Sequence, residues 1–113
     1  MIADALYCKL YLDANLGKRR LIEVVAQIIQ GDMALSELKS DVFDLYVKEN
    51  ESAVEGSGDF IQFRFYIEVD VSQQFKRTQQ AYKQELADLI QTMLNLGFKV
   101  VPACSFEDEL PRS

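Results

Sequence analysis

The order and texture of the hydrophobic runs in this chain describe an α+β domain, a four-stranded antiparallel sheet with two helices on one face. Four short runs read as strands, in the clearest of which apolar and polar residues alternate; two longer stretches switch to helical spacing, and the order is strand, helix, strand, strand, helix, strand. Strands with one apolar and one polar face have a single side to bury, so both helices belong on that side. Right-handed crossovers then interleave the strands, with the first and third central and the second and fourth at the edges. This is the ferredoxin-like βαββαβ arrangement.

The first strand is "LYCKLYLD", where Leu6, Cys8, Leu10 and Leu12 share one face and Tyr7, Lys9, Tyr11 and Asp13 the other. Asn15 is a candidate N-cap for the first helix, in which Leu21, Val24, Val25, Ile28 and Ile29 fall at helical spacing before Gly31 stops it. "DMALSELKSD" reads as a mixed connector. In "VFDLYVKEN", Phe43, Leu45 and Val47 alternate with Asp44, Tyr46 and Lys48, which makes a second strand. A loop marked by Gly56, Ser57 and Gly58 leads to "FIQFRFYIEVDV", where Ile61, Phe63, Phe65, Ile67, Val69 and Val71 face away from Gln62, Arg64, Tyr66, Glu68 and Asp70. Helical spacing returns from Ser72 to Leu96 through Phe75, Tyr82, Leu86, Leu89, Ile90, Met93 and Leu94, with Gly97 as the stop. "FKVVPACSF" is the last strand, and Pro102 assigns it to an edge, because proline cannot donate to a ladder. Leu10, Val25, Phe63, Phe65, Leu86 and Ile90 are the expected core.

Composition narrows the functional classes. With 113 residues and no linker or repeat, the chain reads as one domain, 1–113, ending in an acidic tail at 105–113. Its net charge is −6, so it repels nucleic acid and anionic membranes at long range and attracts basic proteins. No run approaches the ~20 apolar residues of a membrane span. The start, Met-Ile-Ala-Asp-Ala, lacks the basic and apolar regions of a signal peptide, so the expected compartment is the cytoplasm. There is no histidine, which removes the commonest general base and metal ligand. Ser36, Ser40, Ser57 and Ser72 have no histidine to activate them, and "LDANLGKRR" has no glycine-rich anion cradle, so catalysis is not expected and neither is a cofactor or metal. Cys8 and Cys104 read as small buried hydrophobes. They can join only if their strands are neighbours, and a reducing compartment opposes the bond.

Three surface features remain. The uncovered sheet face carries Tyr7, Lys9 and Tyr11 beside Gln62, Arg64, Tyr66 and Glu68, with Asp44, Tyr46 and Lys48 at its edge. Aromatics interleaved with basic residues stack bases in RNA-recognition domains, but "FIQFRFYI" lacks the glycines of that motif and the face carries phosphate-repelling carboxylates. A protein interface and a plain solvated face of cross-strand pairs are the readings left open. The second feature is Glu107, Asp108 and Glu109, consecutive in an expected extended tail, either a solubilising end or a site for a basic partner. The third is the loop from Glu49 to Asp59, which adds Glu49, Glu51, Glu55 and Asp59 with no basic residue.

Taken together, "LYCKLYLDANL", "LIEVVAQIIQG", "FIQFRFYIEVDV" and "LGFKVVPACSFEDELP" in this order resemble the small immunity proteins of bacterial contact-dependent growth inhibition and other polymorphic toxin systems. The resemblance implies a binding role: partnership with the C-terminal toxin domain made by the same cell, no catalytic residues and a cytoplasmic address. Alternatives from other classes are a small-molecule-sensing or regulatory domain and a scaffold subunit that forms a homodimer through its open face.

Overall fold

Alternation over Cys8–Asp13 becomes strand β1, and helical spacing over Lys18–Ile29 becomes helix α1, in a computed structural model that describes residues 6–113. The first five residues, read above as lacking a signal-peptide start, lie outside the described residues. The chain continues through β2 (Asp32–Ala34), β3 (Glu37–Lys39), β4 (Phe43–Glu49), β5 (Phe65–Val71), α2 (Gln79–Asn95) and β6 (Lys99–Ala103). Short 3₁₀ turns form at Phe60–Gln62 and Glu107–Glu109.

The result is an α+β fold with an antiparallel sheet of six strands, not four, in the order β2-β3-β4-β5-β1-β6. The four strands expected from sequence are interleaved as anticipated, with β1 and β5 central and β6, carrying Pro102, at one edge. The second of them, β4, is not an edge. The connector "DMALSELKSD" folds into the hairpin β2–β3, which pairs with β4 and extends the sheet. Strands of three residues, of which only Leu38 is buried, carry too little alternation to be recognised by period.

Gly31 seats that hairpin against α1. The helix ends at Gln30 in the left-handed region (φ 53°), and a Cβ on Gly31 would come 2.7 Å from the Lys39 carbonyl oxygen. Only a residue without a side chain allows so close a backbone approach. The other end of α1 departs from expectation: Gly17, not Asn15, is the N-cap, and no side chain caps it.

Two further boundaries differ. β5 starts at Phe65 because residues 60–62 wind into a 3₁₀ turn, which leaves Ile61 exposed rather than inward-facing. α2 starts at Gln79 rather than Ser72, capped by the Thr78 hydroxyl, which accepts from the Ala81 N–H at 3.1 Å. Before it, Phe75 lies in a turn, its ring edge-on to Tyr82 at 5.6 Å. The core lies between the sheet and the two helices, and Leu10, Val25, Phe65, Leu86 and Ile90 are all fully buried in it. Phe63 is buried too, but outside this main cluster.

Candidate protein-binding face

Side chains directly opposite one another in an antiparallel sheet share a face and touch, so register alone assembles the surface that the helices leave uncovered. Lys48 of β4 stands opposite Tyr66 of β5, Tyr66 opposite Tyr11 of β1, and Tyr11 opposite Val101 of β6. The neighbouring row runs Glu37, Tyr46, Glu68, Lys9, Ala103. Of the residues assigned to this face from sequence, Tyr7, Lys9, Tyr11, Asp44, Tyr46, Tyr66 and Glu68 are brought together on it.

The centre of the face is aromatic. The Tyr11 and Tyr66 rings lie 6.5 Å apart, and the Lys9 ammonium sits 4.2 Å from the Tyr66 ring centre and 4.9 Å from that of Tyr11. A cation held over two ring faces is attracted by both quadrupoles. Phe60 extends the row, packing edge-on against Tyr11 at 5.3 Å, with the Arg112 guanidinium 5.9 Å from the Phe60 ring centre. Phe60 has the parity of Tyr66 in the run "FIQFRFYIEVDV", but it reaches Tyr11 from a 3₁₀ turn at the end of the long loop between β4 and β5 and not from the strand, so strand alternation did not give its place. That loop is tied down: the Asn50 amide donates to the Ile61 and Phe63 carbonyls at 2.9 and 2.7 Å, and the Asp59 carboxylate accepts from the Ile61 N–H. Val101, buried opposite Tyr11, was likewise invisible as part of this face.

Around the aromatic centre the polar groups are paired. Glu68 accepts from the Tyr7 hydroxyl and meets Lys48 at 3.1 Å. Partial burial, reinforced by the Glu68 charge, pushes the Tyr7 phenol up to about 12. The Tyr46 hydroxyl donates to Glu37 at 2.9 Å, which raises its own pKa, and Lys39 reaches the same carboxylate at 3.5 Å. Asp44 faces Asp70 across the β4–β5 ladder and Lys39 across the β3–β4 ladder, so the like-charge pair has a cation beside it.

Arg64 does not join the aromatic row. It precedes β5, is exposed, and lines a cleft of about 710 Å³ at one end of the sheet together with Asp13, Asn15, Glu55 and Lys99. The three consecutive carboxylates also lie elsewhere, and they are not an extended tail. Phe106 and Leu110 are buried in the main core on either side of them, which winds Glu107–Glu109 into a 3₁₀ turn beside α2. Glu107 accepts from the Cys104 N–H at 3.1 Å and Glu109 pairs with Lys83 at 3.0 Å, while all three remain exposed. Apolar residues three to four apart, on either side of a charge run, are the sequence signal that could have shown it.

Among the described residues no group of three Cys, Asp or Glu side chains could hold a metal ion, and no helix is long and apolar enough to cross a membrane. Compared with known proteins, the chain matches no family model, no curated protein and no solved structure.

Proposed function

We propose that this chain is an immunity protein, which binds a cognate toxin domain through its open sheet face and keeps that domain from its substrate. The reading takes the fold as a ferredoxin-like core, β1-α1-β4-β5-α2-β6, with the β2–β3 hairpin added at the β4 edge. The observation that carries it is the partly exposed row of Tyr66, Tyr11 and Phe60 with Lys9 over it, on a face that neither α1 nor α2 covers. Large amphipathic rings held in place by neighbours lose little entropy on binding, which is why such residues anchor protein interfaces. RNA is a poorer fit, because Glu37, Asp44, Glu68 and Asp70 share the face with the rings and repel phosphate.

Charge supports a basic partner. A chain of net charge −6 is drawn to a positive surface, and nucleases need one to hold phosphate. The exposed carboxylates of the Glu107–Glu109 turn sit on a fixed scaffold and add to that field. A cytoplasmic site of action and the absence of catalysis belong to the same proposal.

The test is binding to the C-terminal domain of the toxin encoded beside this gene. Tyr66→Ala or Tyr11→Ala is expected to weaken that complex by ~2 kcal/mol or more, as truncation of an interface anchor does, with circular dichroism unchanged. Unaltered affinity in both variants would move the interface off this face. The mixed-charge cleft around Arg64, Lys99, Asp13 and Glu55 favours a second reading, a sensor of small zwitterions such as amino acids. A ligand-induced rise in melting temperature, without toxin binding, would decide for it.

A further inference from the structure

Cys8 and Cys104, distant in sequence, meet across two strands. β1 and β6 run antiparallel with Leu10 opposite Pro102 and Lys9 opposite Ala103, so the next step in register sets Cys8 against Cys104. The ladder also says which kind of pair this is. Pro102 has no N–H, so Leu10 and Pro102 cannot exchange ladder hydrogen bonds, and pairs two residues away share that character. Val100 agrees: its N–H donates to the Ser113 hydroxyl at 2.8 Å and its carbonyl accepts from the Ser113 N–H at 2.9 Å, both on the side away from β1. Cys104 agrees as well, since its N–H and carbonyl are both taken by Glu107.

Cys8 and Cys104 are therefore a non-hydrogen-bonded pair, the kind with Cα atoms about 4.5 Å apart and side chains closest. A disulfide spans Cα separations of about 4.4–6.8 Å. Both thiols lie on the helix side, Cys8 inside the core and Cys104 packed against it. Cys8 is fully buried, whereas Cys104 is partly exposed at the end of β6.

We propose that Cys8 and Cys104 are a redox-active pair that closes to a cross-strand disulfide when the chain meets a low-molecular-weight disulfide. Cys104, the accessible thiol, attacks as thiolate, which breaks the small disulfide, forms a mixed disulfide and releases one small thiol. Cys8 then loses its proton and attacks the Cys104 sulfur, which expels the second small thiol. Two protein thiols are oxidised, one small disulfide is reduced to two thiols, and the protons of the protein thiols end on the released ones. Burial raises the Cys8 pKa and leaves it no access to solvent, so entry is through Cys104. The new bond fastens the end of β6, where the acidic turn begins, to the central strand β1.

Intact-mass measurement tests this on the wild-type chain. The reduced protein is incubated with oxidised glutathione while folded, quenched in acid, denatured and alkylated. The expected product is a monomer lighter than the reduced protein by two hydrogens, with no alkyl group added, melting about 10 °C higher. In Cys8→Ala the same treatment leaves glutathione attached to Cys104, and in Cys104→Ala it leaves Cys8 free. A wild-type protein that keeps glutathione on Cys104, that is alkylated at both cysteines, or that links into dimers overturns the proposal, and none of these readings depends on a variant folding.

Discussion

Tyr82 illustrates how a single atom sets a cost inside an otherwise apolar core. Its ring is fully buried between Phe43 and Phe75, each edge-on at 5.6 Å, yet its hydroxyl has no hydrogen-bond partner among the described residues. An unsatisfied buried hydroxyl costs roughly 1–3 kcal/mol. Tyr82→Phe removes the oxygen and keeps the ring, so urea denaturation should show a gain of about 1 kcal/mol. A loss would show that the hydroxyl is engaged. Tyr7 makes a pH-dependent contribution. Its folded pKa is pushed up from 10.0 to about 12 by burial and then by Glu68. The stabilisation is therefore complete below pH 10.0 and fades as pH rises towards about 12. Denaturation midpoints across that window should fall less steeply for Tyr7→Phe than for wild type, and parallel curves would detach the effect from Tyr7. The buried Tyr82 phenol shifts in the same direction in both proteins and cancels from the comparison.

At the level of elements, the parts that escaped sequence reading are those whose conformation depends on a distant neighbour. The β2–β3 hairpin exists because β4 offers an edge for Glu37, Leu38 and Lys39 to pair with, and its two-residue turn holds Leu35 at φ 58°, where little in the residue type would place it. Its seat on α1 is the close approach at Gly31. Gly31→Ala puts a Cβ 2.7 Å from a backbone oxygen and 2.9 Å from the Ile29 side chain, so the hairpin must shift, at a cost of about 1–3 kcal/mol. Gly58→Ala meets nothing within 4 Å and serves as the control, with a change inside about 0.5 kcal/mol. Thermal melts of the two variants that coincide would show that the contact is not held in solution. The acidic turn follows the same logic: Phe106 and Leu110 are one apolar pair four residues apart, a signal too short to repeat, and the core they enter gives the segment its shape.

On the scale of the whole molecule the dominant quantity is charge. Net −6 acts over a Debye length of ~8 Å at physiological salt, beyond the reach of any one contact. Glu107→Gln, Asp108→Asn and Glu109→Gln together bring the net charge from −6 to −3, since three negative charges are removed. For a basic partner, stopped-flow association should slow about tenfold at low salt, with the gap closing as salt rises. Stability should fall only slightly, because the Glu109 side of its pair with Lys83 is exposed, a glutamine there still accepts from the Lys83 ammonium, and the glutamine at 107 still accepts from the Cys104 N–H. Equal association rates at low salt would reduce the turn to a solubilising feature of the surface.

The sequence by itself was enough to determine the interleaved strands β4, β5, β1 and β6, the helices α1 and α2 that cover them, the core residues Leu10, Val25, Phe65, Leu86 and Ile90, and the edge position of Pro102. The side the helices cover and the core follow from which side of a strand or helix is apolar, the interleaving from right-handed crossovers, and the edge from the N–H that proline lacks. Tertiary structure alone decided the sixfold width of the sheet, the start of β5, the folding of the acidic turn, the arrival of Phe60 beside Tyr11, and the meeting of Cys8 with Cys104. The physical reason is common to all five: a three-residue strand, a lone aromatic or a cysteine gains its place from a partner remote in sequence, and no local pattern of hydrophobicity encodes that partner.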